Sequence, residues 1–77
     1  MARWKEEISM ITDKDGDQVI VEMLMSVDSQ VYYVLTYKSI TWLGYPLEAV
    51  GKDVGDTLSI LYQRKHALMK RDEAWKS

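Results

Sequence analysis

Asp13-Lys14-Asp15-Gly16-Asp17 is the stretch whose residue types and spacing come nearest to chemistry. Carboxylates at alternate positions present oxygen ligands to a hard cation in the manner of a calcium loop. An EF-hand loop also needs glycine at its sixth position and a bidentate glutamate at its twelfth, where this chain has Gln18 and Leu24. The flanks alternate like strands. The segment therefore reads as a hairpin turn with Gly16 free to take a positive φ, and no metal site is expected beyond weak affinity of three neighbouring carboxylates for a divalent ion.

Other reactive groups are sparse. His66, the only histidine, lies in a basic stretch with no serine or acid at a triad spacing and reads as a surface residue. Glu6-Glu7 and Asp72-Glu73 are adjacent pairs, as at solvated element ends, and do not suggest two carboxylates flanking a substrate. Gly51-Lys52-Asp53-Val54-Gly55 lacks the phosphate-loop spacing and its hydroxyl residue. With no cysteine there are no disulfides and no thiolate ligands, and neither a cofactor nor catalysis is expected.

Surfaces are the better candidates. Three Trp and five Tyr stand against no Phe, and Trp and Tyr are the aromatics that are apolar at one end and wet at the other. Trp42 and Tyr45 flank Leu43-Gly44 just before Pro46 and Leu47, where an irregular backbone lets side chains project as partner anchors. Charge is uneven. Residues 1 to 61 carry five Lys or Arg against ten Asp or Glu, whereas 62 to 77 carry Arg64, Lys65, Lys70, Arg71 and Lys76 against Asp72 and Glu73. The basic end is a solvated helix face or a contact for an acidic partner or nucleic acid, with Arg64, Lys65, Lys70 and Arg71 as the contact residues.

These groups need a scaffold, and 77 residues support one small domain, residues 1–77. With 47% hydrophobic and 29% charged residues the chain is expected to fold. No run approaches the roughly 20 apolar residues of a spanning helix, and the first residues lack a leader's apolar core, so a cytoplasmic, non-membrane protein is expected. Period-two alternation predicts a strand near 6–12, with Ile8 and Met10 opposite Glu7 and Ser9. A second strand puts Val19, Val21, Met23 and Met25 on one face, with Val19, Val21 and Met23 in the core. From Val31 a third strand has apolar residues on both faces, Val31, Tyr33 and Leu35 on one, Tyr32 and Val34 on the other, and reads as central with a helix or a partner over its second face. Pro46 in a first turn and Gly51 as a stop predict a short helix near 46–51. After Gly55 two readings stand. One is a strand at 57–62 followed by a helix, the favoured order. The other is a helix capped by Asp56, with a stripe of Leu58, Leu61, Tyr62, Leu68, Met69 and Trp75 broken by Lys65 and Asp72. The fold class is α+β, a small antiparallel sheet of about four strands with a short helix and a C-terminal helix.

Ile8-Ser9-Met10, Asp15-Gly16, Val19, Ile40-Thr41-Trp42, Tyr45-Pro46-Leu47, Ala49-Val50-Gly51-Lys52 and Gly55-Asp56-Thr57-Leu58 follow one another in an order that resembles the C-terminal FKBP-like domain of the Gre transcript-cleavage factors. The resemblance implies a strand, a turn, a short helix ending at Gly51-Lys52 and a strand opened by Gly55-Asp56. It also implies docking on RNA polymerase through Tyr45-Pro46-Leu47, in transcription regulation. Tyr45 stands where that family has serine, and the acidic coiled coil that serves transcript cleavage has no counterpart. Gly44-Tyr45-Pro46-Leu47-Glu48-Ala49-Val50-Gly51-Lys52 also resembles a segment of PAS sensor domains. The function expected is a noncatalytic protein-binding module; the alternative is a small nucleic-acid-binding domain using the basic C-terminal segment. A homo-oligomer is compatible with either.

Overall fold

The computed structural model describes residues 4–42 and 44–76. The sheet is an antiparallel meander in the order β1 (Trp4–Thr12), β2 (Gln18–Met25), β3 (Val31–Trp42), β4 (Tyr45–Gly51), and the chain then enters a single helix, α1 (Val54–Lys76). The α+β class and the four-stranded sheet agree with the sequence reading. None of the described helices is long and apolar enough to cross a membrane.

Each turn is built from its own residues. Asp13 Oδ1 accepts the N–H groups of Asp15 and Asp17, both at 2.9 Å, and Gly16 sits at φ +87°, which closes β1 onto β2 as expected. Ser26 and Gln30 close β2 onto β3, with Ser29 at φ +66°. Gly44, at φ +83°, turns β3 into β4.

The register places Val19, Val21 and Met23 opposite Tyr37, Leu35 and Tyr33, with Ala49 beside Leu35. Val19, Val21, Leu35, Tyr37, Leu47, Ala49 and Leu61 form the core, and α1 covers that face over β3 and β4. Val19 and Val21 are fully buried; Met23 is only partly so. The other face carries Met10, Ile20, Leu24, Tyr32, Val34 and Val50, and among the described residues no second layer lies over it. A bulge at Ile8 shifts the β1 register between Glu7 and Ser9.

Two expected elements are corrected. Residues 46–51 are not a helix: Leu47 and Ala49 alternate inward against Glu48 and Val50 outward, a period of two, and Pro46 is tolerated because β4 is an edge strand. Residues 57–62 are not a strand, since α1 begins at Val54. Its cap is Asp53, three residues before Asp56, whose N–H reaches Asp53 Oδ2 at 2.9 Å. The element order implied by the Gre resemblance, a helix before Gly51 and a strand from Gly55, is therefore not the order found.

Candidate functional site

Two features stand out on this scaffold. The first is an ion cluster in which α1 meets the β1–β2 turn. Val54, Leu58, Leu61 and Leu68 face the sheet at helical spacing, and Lys65 occupies the same stripe. Its stem is buried among them, and Nζ emerges into the Asp13–Asp17 turn, 2.5 Å from Asp13 Oδ2, 2.8 Å from Asp15 Oδ2 and 3.0 Å from Asp17 Oδ2. The Lys65 side chain is 2% exposed and that of Asp13 1%, whereas Asp15 and Asp17 are 43% and 44% exposed. Tyr37 donates its O–H to the same Asp13 Oδ2 at 2.6 Å. The Asp13 carboxylate thus shapes the turn with one oxygen and receives a lysine from α1 and a tyrosine from β3 with the other. Around it, His66 Nε2 lies 3.0 Å from Asp15 Oδ2, and Tyr62 donates to Asp15 Oδ1 at 3.3 Å.

Burial alone would push the Asp13 carboxyl up, but the bonds from Lys65, Tyr37 and the turn amides outweigh it and hold the group well below the ordinary carboxylate range. Lys65 is pulled down by burial and raised further by its three carboxylates, so it stays an ammonium. Burial, then the bond to Asp13, raises the Tyr37 phenol. Asp13 and Lys65 are thus held charged and Tyr37 neutral across the neutral range, and these three groups act as structural partners. Where three carboxylates stand close enough to hold a cation, the cation is the protein's own lysine. Beside it a cleft of about 310 Å³ opens between the turn and the first half of α1, lined by Thr12, Lys14, Leu58 and Tyr62 among others.

The second feature is an arm. Tyr37 is the last β3 residue paired with β2, opposite Val19; beyond it the β3–β4 register is irregular from Thr36 to Thr41, and pairing with β4 resumes at Thr41↔Pro46 and Trp42↔Tyr45. Because Tyr45 is only three residues from Glu48, which pairs with Thr36, the tip reaches roughly 10 Å past that pair. Tyr45, at the end, is 73% exposed. Pro46 beside it is exposed as well.

The residues proposed from sequence thus separate. Tyr45 and Pro46 are both exposed, on alternate faces of β4. Leu47, expected at the partner contact, is instead a core residue, because it points inward from β4. Trp42 is placed opposite Tyr45 by its backbone, its side chain lying outside the described residues, as does Leu43 altogether. Lys65, expected on a basic contact surface, is buried and paired with three aspartates. Arg64 is exposed and donates to the Glu48 carbonyl at 3.2 Å, and Lys70 and Arg71 are exposed. His66 is on the surface as expected. The sequence reading missed Tyr37 and the inward turn of Lys65; the signal available was the helical period from Val54 through Leu61 to Leu68, which lands on Lys65.

Comparison with protein-family models, with curated proteins and with solved structures finds no match for the chain.

Proposed function

We propose that this chain is a noncatalytic protein-binding module that engages its partner through the β3–β4 arm, with Tyr45 as the anchor. The observation that carries this reading is the 73% exposure of Tyr45 at the end of a hairpin that outruns the rest of the sheet. A large aromatic held there contributes little to the core. Gly44 at φ +83° and Pro46 fix the turn that displays it. Rigid amphipathic aromatics of this kind dominate binding energy when they fill a partner pocket. The Gre resemblance supplies the most specific partner, RNA polymerase, and with it a role in transcription regulation in the cytoplasm.

The nucleic-acid alternative is weaker on this geometry, because Lys65 is withdrawn into the ion cluster and Arg64 is bonded to β4. Without Lys65 the basic set proposed from the sequence is too small for a steep salt dependence. Immobilised wild-type chain and Tyr45→Ala are to be compared for capture of purified RNA polymerase. The expected result is a loss of about 2 kcal/mol, roughly thirtyfold in affinity, with unchanged circular dichroism and melting temperature. Equal binding by both proteins would refute the arm as the contact, and absence of binding by the wild type would remove RNA polymerase as the partner.

A further inference from the structure

Tyr37 stands at the root of the arm, where three elements meet. It is the last β3 residue with a β2 partner, its ring lies in the core, and its O–H ends on Asp13 of the β1–β2 turn. Lys65 of α1 grips the same carboxylate oxygen from the helix side. One residue class further out, Ile40 of β3 and Leu68 of α1 pack against the same core cluster. Past Tyr37 the arm has no β2 neighbour, and the β3–β4 register is irregular between Thr36 and Thr41. Ladder hydrogen bonds alone therefore do not fix the direction in which the arm leaves the sheet.

We propose that the Asp13–Tyr37–Lys65 cluster is a latch that holds the β3–β4 arm at a fixed angle to the sheet and to α1, so that releasing it frees the arm while β2 and β3 stay paired. The functional meaning rests on the binding-arm reading: an arm fixed in advance loses less freedom when it docks. The groups that face the latch are Asp13, Lys14, Asp15 and Asp17 from the turn, Tyr62, Lys65 and His66 from α1, and Tyr37 from β3. The division of labour on Asp13 makes the device cooperative. Oδ1 holds the turn and Oδ2 holds both tertiary partners, so the turn cannot open without unhooking Tyr37. With Asp13 and Lys65 both locked in their charged forms, the latch stays closed across the neutral range.

The mildest opening is Tyr37→Phe, which keeps the ring in the core and deletes one O–H. Backbone ¹⁵N relaxation of the full chain without any partner reads the result. In the wild type, residues 38–42, 44 and 45 are expected at sheet-like order parameters near 0.85; in Tyr37→Phe they are expected below about 0.6, with 19–23 and 33–36 unchanged. An arm equally ordered in both proteins, or already mobile in the wild type, would overturn the latch. So would loss of the dispersed spectrum in Tyr37→Phe, because the cluster would then be holding the whole fold. The double variant Asp13→Asn/Lys65→Met, which removes both charges together, should loosen the same residues. Because no partner enters the measurement, a loosened arm combined with undiminished RNA polymerase binding by Tyr45→Ala would leave the latch standing and remove the binding-arm reading.

Discussion

Replacing Lys65 by methionine tests the strongest energetic claim the structure supports. Methionine preserves the apolar stem among Leu61, Leu68 and the sheet and deletes only the ammonium. The three aspartates then fare differently. Asp15 and Asp17 are more than two-fifths exposed and recover hydration, so their lost pairs count as surface salt bridges, about 0–1 kcal/mol. Asp13 is sealed, and without Nζ its charge keeps only the Tyr37 hydroxyl and two turn amides. Stranding a buried charge costs about 3–5 kcal/mol. A chain of 77 residues has roughly 4–12 kcal/mol in all. Urea denaturation followed by tryptophan fluorescence at neutral pH should therefore show the midpoint falling by several molar, or the variant unfolded without denaturant, given a slope of about 1 kcal/mol/M for a domain this small. The double variant Asp13→Asn/Lys65→Met removes the stranded charge and should recover most of the loss. A single-variant loss under about 1 kcal/mol, or a double variant no better than the single, would refute the account of Asp13 as the buried member of the cluster.

Three further outcomes follow from the same geometry. The depressed Asp13 and Asp15 carboxyls add stability above the unfolded value of about 4 that is lost as pH falls through their folded values, while the raised Lys65 and Tyr37 add stability below about 10 that is lost above it; the melting temperature should be flat from about pH 5 to 9 and fall on both sides, and an acid limb unaltered in Asp13→Asn would count against this. Gly51→Ala should cost about 1–3 kcal/mol, because a methyl group there drives into Thr57 Oγ1, which is itself pinned to the Asp53 carbonyl at 2.6 Å, and Thr57→Ala should rescue it; no loss in the single variant would show that β4 and α1 approach less closely. Millimolar calcium should leave the melting temperature within about 1 °C, since the ion must displace Lys65, whereas micromolar affinity would add about 2.7 kcal/mol at a hundredfold excess and shift it visibly.

What was legible in the sequence was whatever rests on local pattern. Period-two alternation gave the place of β1, the span and core face of β2 and the start of β3, and Gly16 marked its turn, because side-chain parity and a required positive φ are short-range facts; the bulge at Ile8, which leaves Ile8 and Met10 exposed and Ile11 against the core, was not visible in that pattern. Residues 45–51 misled because Pro46 and Gly51 are equally good punctuation for a short helix and for an edge strand. Only the inward Leu47 and Ala49 decide, and their burial depends on α1. The strand wrongly expected at 57–62 came from reading Leu58, Ile60 and Tyr62 as alternate positions. Ile60 is in fact exposed on α1, and the true stripe ran through Lys65, which looked like its interruption. A lysine in an apolar stripe is uninterpretable until its counter-ions are known, and these lie 48 to 52 residues away in the turn.

That separation explains why the cluster matters to so small a protein. With no cysteine, no bridge ties the first hairpin to the helix, and α1 packs mainly on β3 and β4, leaving β1 attached to the domain through β2 and the turn. Lys65 spans from α1 to that turn, and Tyr37 joins it from β3, so a single carboxylate links the first and last elements of the chain to the middle one. Hydrophobic residues in its place would bury area without selecting a register. The fixed bond directions to Asp13 select where α1 lies along the sheet, because a shift of one helical residue turns Nζ away by about 100°. The same choice of register packs Leu68 against the core cluster that also receives Ile40 of β3. The ion cluster thus sets the position of the helix and the direction of the arm together, which is why a change at Asp13 is expected to be felt at Tyr45 without touching it.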